Sequence, residues 1–203
     1  RAYTRSFRRC GIEAVPVEAA GGAIGGSVTH EFTALAGNGE SEILSCACGY
    51  AANTERAEMA AAPPTAAETA AALETVHTPH VTKVEDVAQF FGVDASGLIK
   101  TLLFEAEGDV VAVLVPGDRD VNEEKVKSAA GRADYDLALA ATVERVTHAP
   151  VGFAGPVGLQ GVRIIADERL RGRVNLIAGA NQADHHVRHV ALERDATITA
   201  YAD

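Results

Sequence analysis

The clearest pattern in the chain is a pair of short apolar runs, Leu98–Phe104 and Val110–Val115, separated by Glu107-Gly108-Asp109. Runs rich in branched residues and bounded by turn chemistry predict strands covered on both faces. Gly108 supplies the positive φ that a tight turn needs. Lys100 breaks the pattern. Strand side chains alternate with a period of two, so Lys100 shares a face with Leu98, Leu102 and Phe104. A lysine there either runs its stem out to solvent or meets an anion.

Helical patterning flanks this hairpin. Val84, Val87, Ala88 and Phe91 fall on one stripe and predict a helix over Lys83–Phe91, with Thr82 and Glu85 as a capping box and Gly92 as its stop. Asn122 is placed to cap Glu123–Ala130, whose first two acids suit the positive end of a helix. A short helix is expected at Thr142–Thr147, a Gly/Pro loop at Gly152–Gly158, and strands at Val162–Ala166, Asn175–Ala178 and Val187–Leu192. Val76-His77-Thr78-Pro79 should be extended, because a residue before proline avoids the helical region.

The first sixty or so residues read differently. Ala2–Arg9 resembles the end of a helix closed by Gly11, followed by a strand at Ile12–Val17. A glycine-rich loop, Gly21–Ser27, leads into Val28–Phe32, then a strand at Glu42–Cys48 and a helix at Thr54–Ala60. The stretch Ala57–Ala72 is almost all alanine but carries Pro63-Pro64, which stop a helix. It reads as a boundary linker, with a plain surface helix at Thr65–Leu73 as the alternative. The expected organisation is therefore residues 1–60, a linker over 61–75, and a second domain over 76–203. Intermixed strands and helices in that second domain predict a mixed α/β (α+β) sheet.

Composition narrows the function. Of 203 residues, 47% are apolar, which is enough for a core, and the net charge is −10. That is the wrong sign for coating nucleic acid non-specifically, though it leaves room for a local basic pocket. Cys10, Cys46 and Cys48 form no disulfide framework and point to a reducing compartment. The longest apolar run is too short to span a membrane, and no signal peptide is evident. The chain begins at Arg1 rather than Met, which suggests a piece of a longer polypeptide.

Candidate chemistry lies in three places. Lys100 reads either as an edge-strand gatekeeper or as an anion contact. The loop Gly152-Phe153-Ala154-Gly155-Pro156 reads either as an ordinary turn or as a concavity of backbone N–H groups. The third is Gly179-Ala180-Asn181 with His185, His186 and His189. In a strand, His185 and His189 would share one face and His186 the other. No cysteine pair or acidic partner with ligand spacing accompanies them, so no metal site is expected. The Gly21–Gly26 run lacks the Lys-Ser/Thr of a P-loop and the Rossmann spacing. No GxSxG elbow is present, so a covalent nucleophile has no obvious candidate.

Taken together these motifs resemble a known family. Ala23–Phe32 and Tyr50-Ala51-Ala52-Asn53 resemble the catalytic core of bacterial-type prolyl-tRNA synthetase. Thr78-Pro79, Lys100-Thr101-Leu102-Leu103, Gly117-Asp118, Asn122-Glu123, Gly152xxxPro156, Asp167 and Gly179-Ala180-Asn181 resemble the editing domain inserted into that core. The resemblance implies a mixed-sheet, aminoacyl-tRNA deacylase-like domain preceded by a partial class II antiparallel-sheet segment. It implies hydrolysis of alanine mischarged onto tRNA(Pro), with Lys100, His186 and Asp167 as catalytic residues. Thr78, Gly152, Gly155, Pro156 and Asn181 would bind substrate. His30 and Glu31 would lie near the proline pocket of the intact core. Editing would need no cofactor, whereas the intact synthetase would use ATP and Mg, bind proline, form a homodimer and work in the cytoplasm. The first block lacks all three class II motifs, so this stretch alone is not expected to aminoacylate.

The chain also departs from the family pattern. Ala183-Asp184 stands where Asp-Gly is usual, Val187 follows His186 in place of an aromatic, and Ala191 replaces an asparagine. Spacing from Asn181 favours His186 over His185. Two further readings remain open: a freestanding trans-editing deacylase, and a module that binds the tRNA 3′ end without hydrolysis. The physical need for editing follows from size. A pocket built for proline rejects the smaller alanine by only about 1–3 kcal/mol, so a second pocket that admits only alanine is required.

Overall fold

The computed structural model describes residues 1–19, 29–59 and 68–203. The chain divides into two compact units, Arg1–Met59 and Ala60–Asp203. The glycine loop at Gly21–Gly26 and most of the Ala/Pro-rich stretch lie outside the described residues.

The first unit contains helix α1 (Ala2–Arg9) and strands β1 (Ala14–Ala19), β2 (Thr29–Ala34), β3 (Ile43–Ser45) and β4 (Ala51–Asn53). Gly11, at φ +75°, follows the end of α1 as expected. The strands form one sheet in the order β2-β1-β4-β3. Its β1–β2 and β3–β4 pairings are antiparallel, whereas β1 and β4 run parallel. Phe32 anchors α1 by stacking on Phe7 at 5.8 Å between ring centroids. The helix expected from Thr54 does not form among the described residues. The backbone turns at 54–56 instead, where Asn53 Oδ1 accepts the Arg56 N–H. That is the contact a helix N-cap makes, and Arg56 and Ala57 N–H also donate to Asn53 O, but the turn is not continued through 57–59.

The second unit is built on the predicted hairpin. Strands β6 (Ile99–Ala106) and β7 (Asp109–Pro116) pair antiparallel over their full length, from Ile99↔Pro116 to Ala106↔Asp109. The two-residue connection carries Gly108 at φ +75°. This hairpin is the centre of a five-stranded sheet, with β8 (Asp136–Leu137), β9 (Arg163–Asp167) and β12 (Ala200–Ala202) in the order β12-β9-β7-β6-β8. A three-stranded sheet has the order β10-β11-β5 and uses β5 (Glu74–His77), β10 (Leu176–Gly179) and β11 (His185–Val190).

Alternation along the hairpin separates two cores. Ile99, Ala112 and Leu114 join Ile164, Leu176, Val187 and Val190 between the two sheets. Phe104, Val111, Val113 and Val115 pack beneath helix α3 (Glu123–Ala130), against Val126 and Ala130. Covering both faces explains why the strands read as continuous apolar runs. Asn122 Oδ1 accepts the Lys125 N–H and caps α3, a contact worth about 1 kcal/mol.

Helix α2 (Val84–Phe91) lays Val87 and Ala88 on Leu98 and Ile177, with Val84 and Phe91 beside them. Gly92 ends it at φ +66°. The expected cap is absent, since the N-cap position falls on Lys83 and no side chain bonds there. Helix α4 (Ala140–Thr147) begins two residues before the expected start, and a short α5 (Leu192–Asp195) follows β11.

Candidate functional site

Strand β6 is central on one edge and almost open on the other. Leu98, just before it, bridges to β10 at Ile177, and β6 pairs with β8 only at Phe104 and Glu105. Between those points the edge borders a hollow of about 200 Å³. Its walls are Thr82, Val84 and Val87 at the start of α2, Leu98 and then Ile99–Leu102 of β6, Gly152 and Ala154, Ile177–Gly179 from β10, and His186. Residues from both faces of β6 reach it, as an exposed strand edge allows. Lys100 is therefore on an edge and in a hollow at once.

Among the described residues Lys100 is the only charged side chain in the lining. Its ammonium lies 3.3 Å from the carboxylate of the fully exposed Asp120. An exposed pair of this kind contributes little, about 0–1 kcal/mol, and is readily exchanged for another anion.

His186 is 4% exposed and lies in the wall. Its Nδ1 is 2.7 Å from the hydroxyl of Thr78, which is fully buried. Phe153 and Phe91 stand edge-on to the ring at 5.6 and 6.4 Å. Burial among these groups pushes the imidazole pKa down, so the ring is neutral at pH 7. With Nδ1 engaged by Thr78, Nε2 is the ring nitrogen left for the hollow. His185 differs: it is half-buried, its Nδ1 bonds Ala183 O at 2.7 Å, and its ring packs on His77. His189 does not continue the alternation, because its φ is +65°. Among the described residues no group of three His, Cys, Asp or Glu side chains is arranged to hold a metal.

The Gly152–Pro156 loop is held by one side chain. Asn181, at φ +52°, accepts the Gly155 N–H at 2.8 Å and donates to Gly155 O and Val157 O at 2.9 and 3.0 Å. Its own N–H donates to Phe153 O. The loop lies on β10 so closely that a Cβ built on Gly155 would sit 1.8 Å from Gly179 O. A Cβ on Gly179 would meet Ala154 O at 2.3 Å. Both positions must be glycine for the loop to reach the strand. Gly152 has φ +102°, and it borders Thr82.

The structure thus brings together Lys100, Gly152 and His186, with Thr78 behind the imidazole and Gly155, Pro156 and Asn181 behind the loop. It changes two expectations. Gly155 N–H is consumed by Asn181, and the loop residues that line the hollow are Gly152 and Ala154. Asp167 does not line the hollow. It ends β9, and its carboxylate accepts the Arg169 N–H at 2.7 Å to cap a short 3-10 turn. His30 and Glu31 are exposed on β2 in the first unit, opposite Glu18 and Val17. Sequence reasoning missed Val84 and Val87 as walls, having assigned them to the core stripe, and Thr82, having assigned it to a cap.

A single cation, a buried imidazole and a glycine-walled loop thus surround one small hollow in a mixed α/β domain. The chain belongs to the aminoacyl-tRNA editing domain family, whose profile matches residues 78–195. Over its whole length it is 53% identical to a proline–tRNA ligase of Nitratidesulfovibrio vulgaris Hildenborough and 50% identical to that of Geobacter sulfurreducens. In each case the chain spans about a third (35%) of the relative's length. A solved structure described as a candidate trans-editing enzyme for prolyl tRNA synthetase shares the fold, with TM-score 0.56 and 24% identity. That match covers 64% of this chain and 85% of the other.

Proposed function

We propose that the second unit hydrolyses alanine esterified to the 3′ end of tRNA(Pro), as the editing insert of a proline–tRNA ligase. The observation that carries this reading is the shared hollow. Lys100, the Gly152–Ala154 stretch and His186 line it together, and Lys100 is its only charge. In this reading the ammonium exchanges Asp120 for a phosphate of the terminal nucleotide, acting as a point charge. The N–H groups of Gly152 and Ala154 receive the ester carbonyl and the oxyanion formed from it. His186 Nε2 positions the ester or the terminal ribose, with Thr78 fixing the ring.

The reaction is ester hydrolysis. Water oxygen bonds to the carbonyl carbon, the bond from that carbon to the ribose oxygen breaks, and the ribose oxygen takes up a proton. Among the described residues the lining contains no carboxylate, cysteine or serine. The neighbouring ribose hydroxyl of the tRNA is then the group nearest the attacking water, and the substrate assists its own hydrolysis. Val84 and Val87 set the size limit that admits alanine and excludes proline.

For the whole protein, we propose the aminoacylation suggested by its relatives' name, with ATP, Mg and proline as ligands, a homodimer, and a cytoplasmic setting. His30 and Glu31 would border the proline pocket there. No helix among the described residues is long and apolar enough to cross a membrane. The missing nucleophile also suits a second reading, a module that binds the tRNA end without cleaving it. Deacylation of alanyl-tRNA(Pro) by the wild type, Lys100→Ala and His186→Ala separates the two. Editing predicts that each variant is slower by about tenfold or more. Equal rates in all three would remove these residues from the site.

A further inference from the structure

Thr101 carries a buried polar atom without a partner in the wall of the same hollow. Its Oγ1 is shielded from solvent and bonds to nothing, while the residue lines the cavity beside Lys100. Leaving a buried hydroxyl unsatisfied costs about 1–3 kcal/mol. Most buried side-chain polar atoms are paired, so an orphan in a cavity wall calls for a partner that the free protein lacks.

The main chain at Thr101 adds a second acceptor. Ala138 N–H donates to Leu103 O at 2.8 Å, so Leu103 directs its carbonyl away from β7 and towards the free edge of β6. In an antiparallel pair the edge addressed alternates with each residue. The N–H and C=O of Thr101 therefore also point to the open edge, where β8 does not reach. One residue of the lining thus carries two oxygen acceptors, a carbonyl at the open edge and a hydroxyl without a partner.

We infer that Thr101 binds the α-ammonium group of the aminoacyl ester, through its carbonyl and its hydroxyl. This rests on the editing reading above. An aminoacyl ester brings one cation into the hollow, and the lining holds no carboxylate to meet it. Lys100 is of the wrong sign and His186 Nε2 is committed to the ester end. Neutral oxygen acceptors on Thr101 stabilise the ammonium without attracting Lys100 away from phosphate. Rotation about χ1 to another staggered rotamer carries the hydroxyl to the position that the methyl now holds.

The test uses the full 203-residue chain. Thr101→Val keeps the shape and removes the hydroxyl, and Thr101→Ser keeps the hydroxyl. Each is measured for thermal stability, and for binding of a tRNA minihelix carrying alanine through a non-hydrolysable amide. A matched minihelix carrying lactate in place of alanine lacks the ammonium. The expected result is a roughly tenfold loss of alanyl-minihelix affinity in Thr101→Val, as for a hydrogen bond to a charged group. Thr101→Ser should bind like the wild type, lactyl binding should be unchanged, and the Tm of Thr101→Val should be equal or higher. Wild-type affinity in Thr101→Val, or equal losses for both minihelices, would overturn the inference. So would a loss of affinity that follows a fall in Tm. Tight binding by the wild type without hydrolysis of alanyl-tRNA would defeat the editing reading alone. No binding by the wild type would defeat both.

Discussion

The hydroxyl of Thr78 and Nδ1 of His186 lie 2.7 Å apart, and both side chains are buried. Thr78 stands just past the end of β5 and His186 on β11, and the two strands pair at His186↔Val76. The pairing register thus delivers the contact that fixes the imidazole. Thr78→Val keeps the packing and removes the bond. We expect slower deacylation of alanyl-tRNA, by about tenfold, with a Tm lower by several degrees because Nδ1 is left unsatisfied. Unchanged deacylation would mean that the ring needs no such support.

His186 also sets a pH dependence. Its folded pKa is held below the ordinary value of about 6.5 by burial. Between that lowered value and 6.5 the unfolded chain binds the extra proton and the folded chain does not. Stability from this group is therefore present above pH 6.5 and is lost as pH falls below it. Denaturant midpoints should drop from pH 7.5 to 5.5, and the drop should shrink in His186→Gln. An identical pH slope in both proteins would contradict the assignment.

Gly155 and Gly179 should not tolerate alanine. Neither needs a positive φ, so the objection is contact alone: each added Cβ would fall within 2.4 Å of a backbone oxygen. We expect Gly179→Ala to move the loop away from β10, reducing both Tm and deacylation. Gly108→Ala, at φ +75° with open space around it, should affect Tm and leave deacylation unchanged. Full editing activity in Gly179→Ala would show that loop position does not matter.

Asn181 should matter through geometry and not through charge. Asn181→Asp cannot donate to Gly155 O and Val157 O and would set a carboxylate against both carbonyls. Its deacylation rate should fall more than that of Asn181→Ala. The reverse order would argue that the amide contacts substrate directly.

The hairpin, α2 and α3 were readable in the sequence because each carries local signals: branched apolar runs, Gly108, Gly92, and the Asn122 cap. The β8 and β12 strands were not, being two and three residues long and stabilised by pairing with distant segments. The site divides in the same way. Lys100 stood out because it interrupted an apolar run, the loop by its glycines and the histidines by their clustering, and the resemblance to a known family chose His186 among them. Asp167 was named from a motif position, which says nothing about where a carboxylate points. In the fold it is used by its own backbone. Thr101 entered only as part of the Lys100–Leu103 motif, since threonine is ordinary in a strand and its missing partner shows only in the fold.

Val87 tests the size limit. It presents an apolar wall to the hollow from α2. Val87→Ala removes two methyl groups and enlarges the space available to the amino-acid side chain. Hydrolysis of prolyl-tRNA should rise relative to that of alanyl-tRNA. No change in that ratio would place the size filter elsewhere.

The most direct measurement follows release of the amino acid from matched alanyl-tRNA(Pro) and prolyl-tRNA(Pro), each mixed with the wild-type chain under single-turnover conditions. The account predicts rapid loss of alanine and little loss of proline. Equal rates for the two esters, or no release of alanine above the rate in buffer, would contradict it.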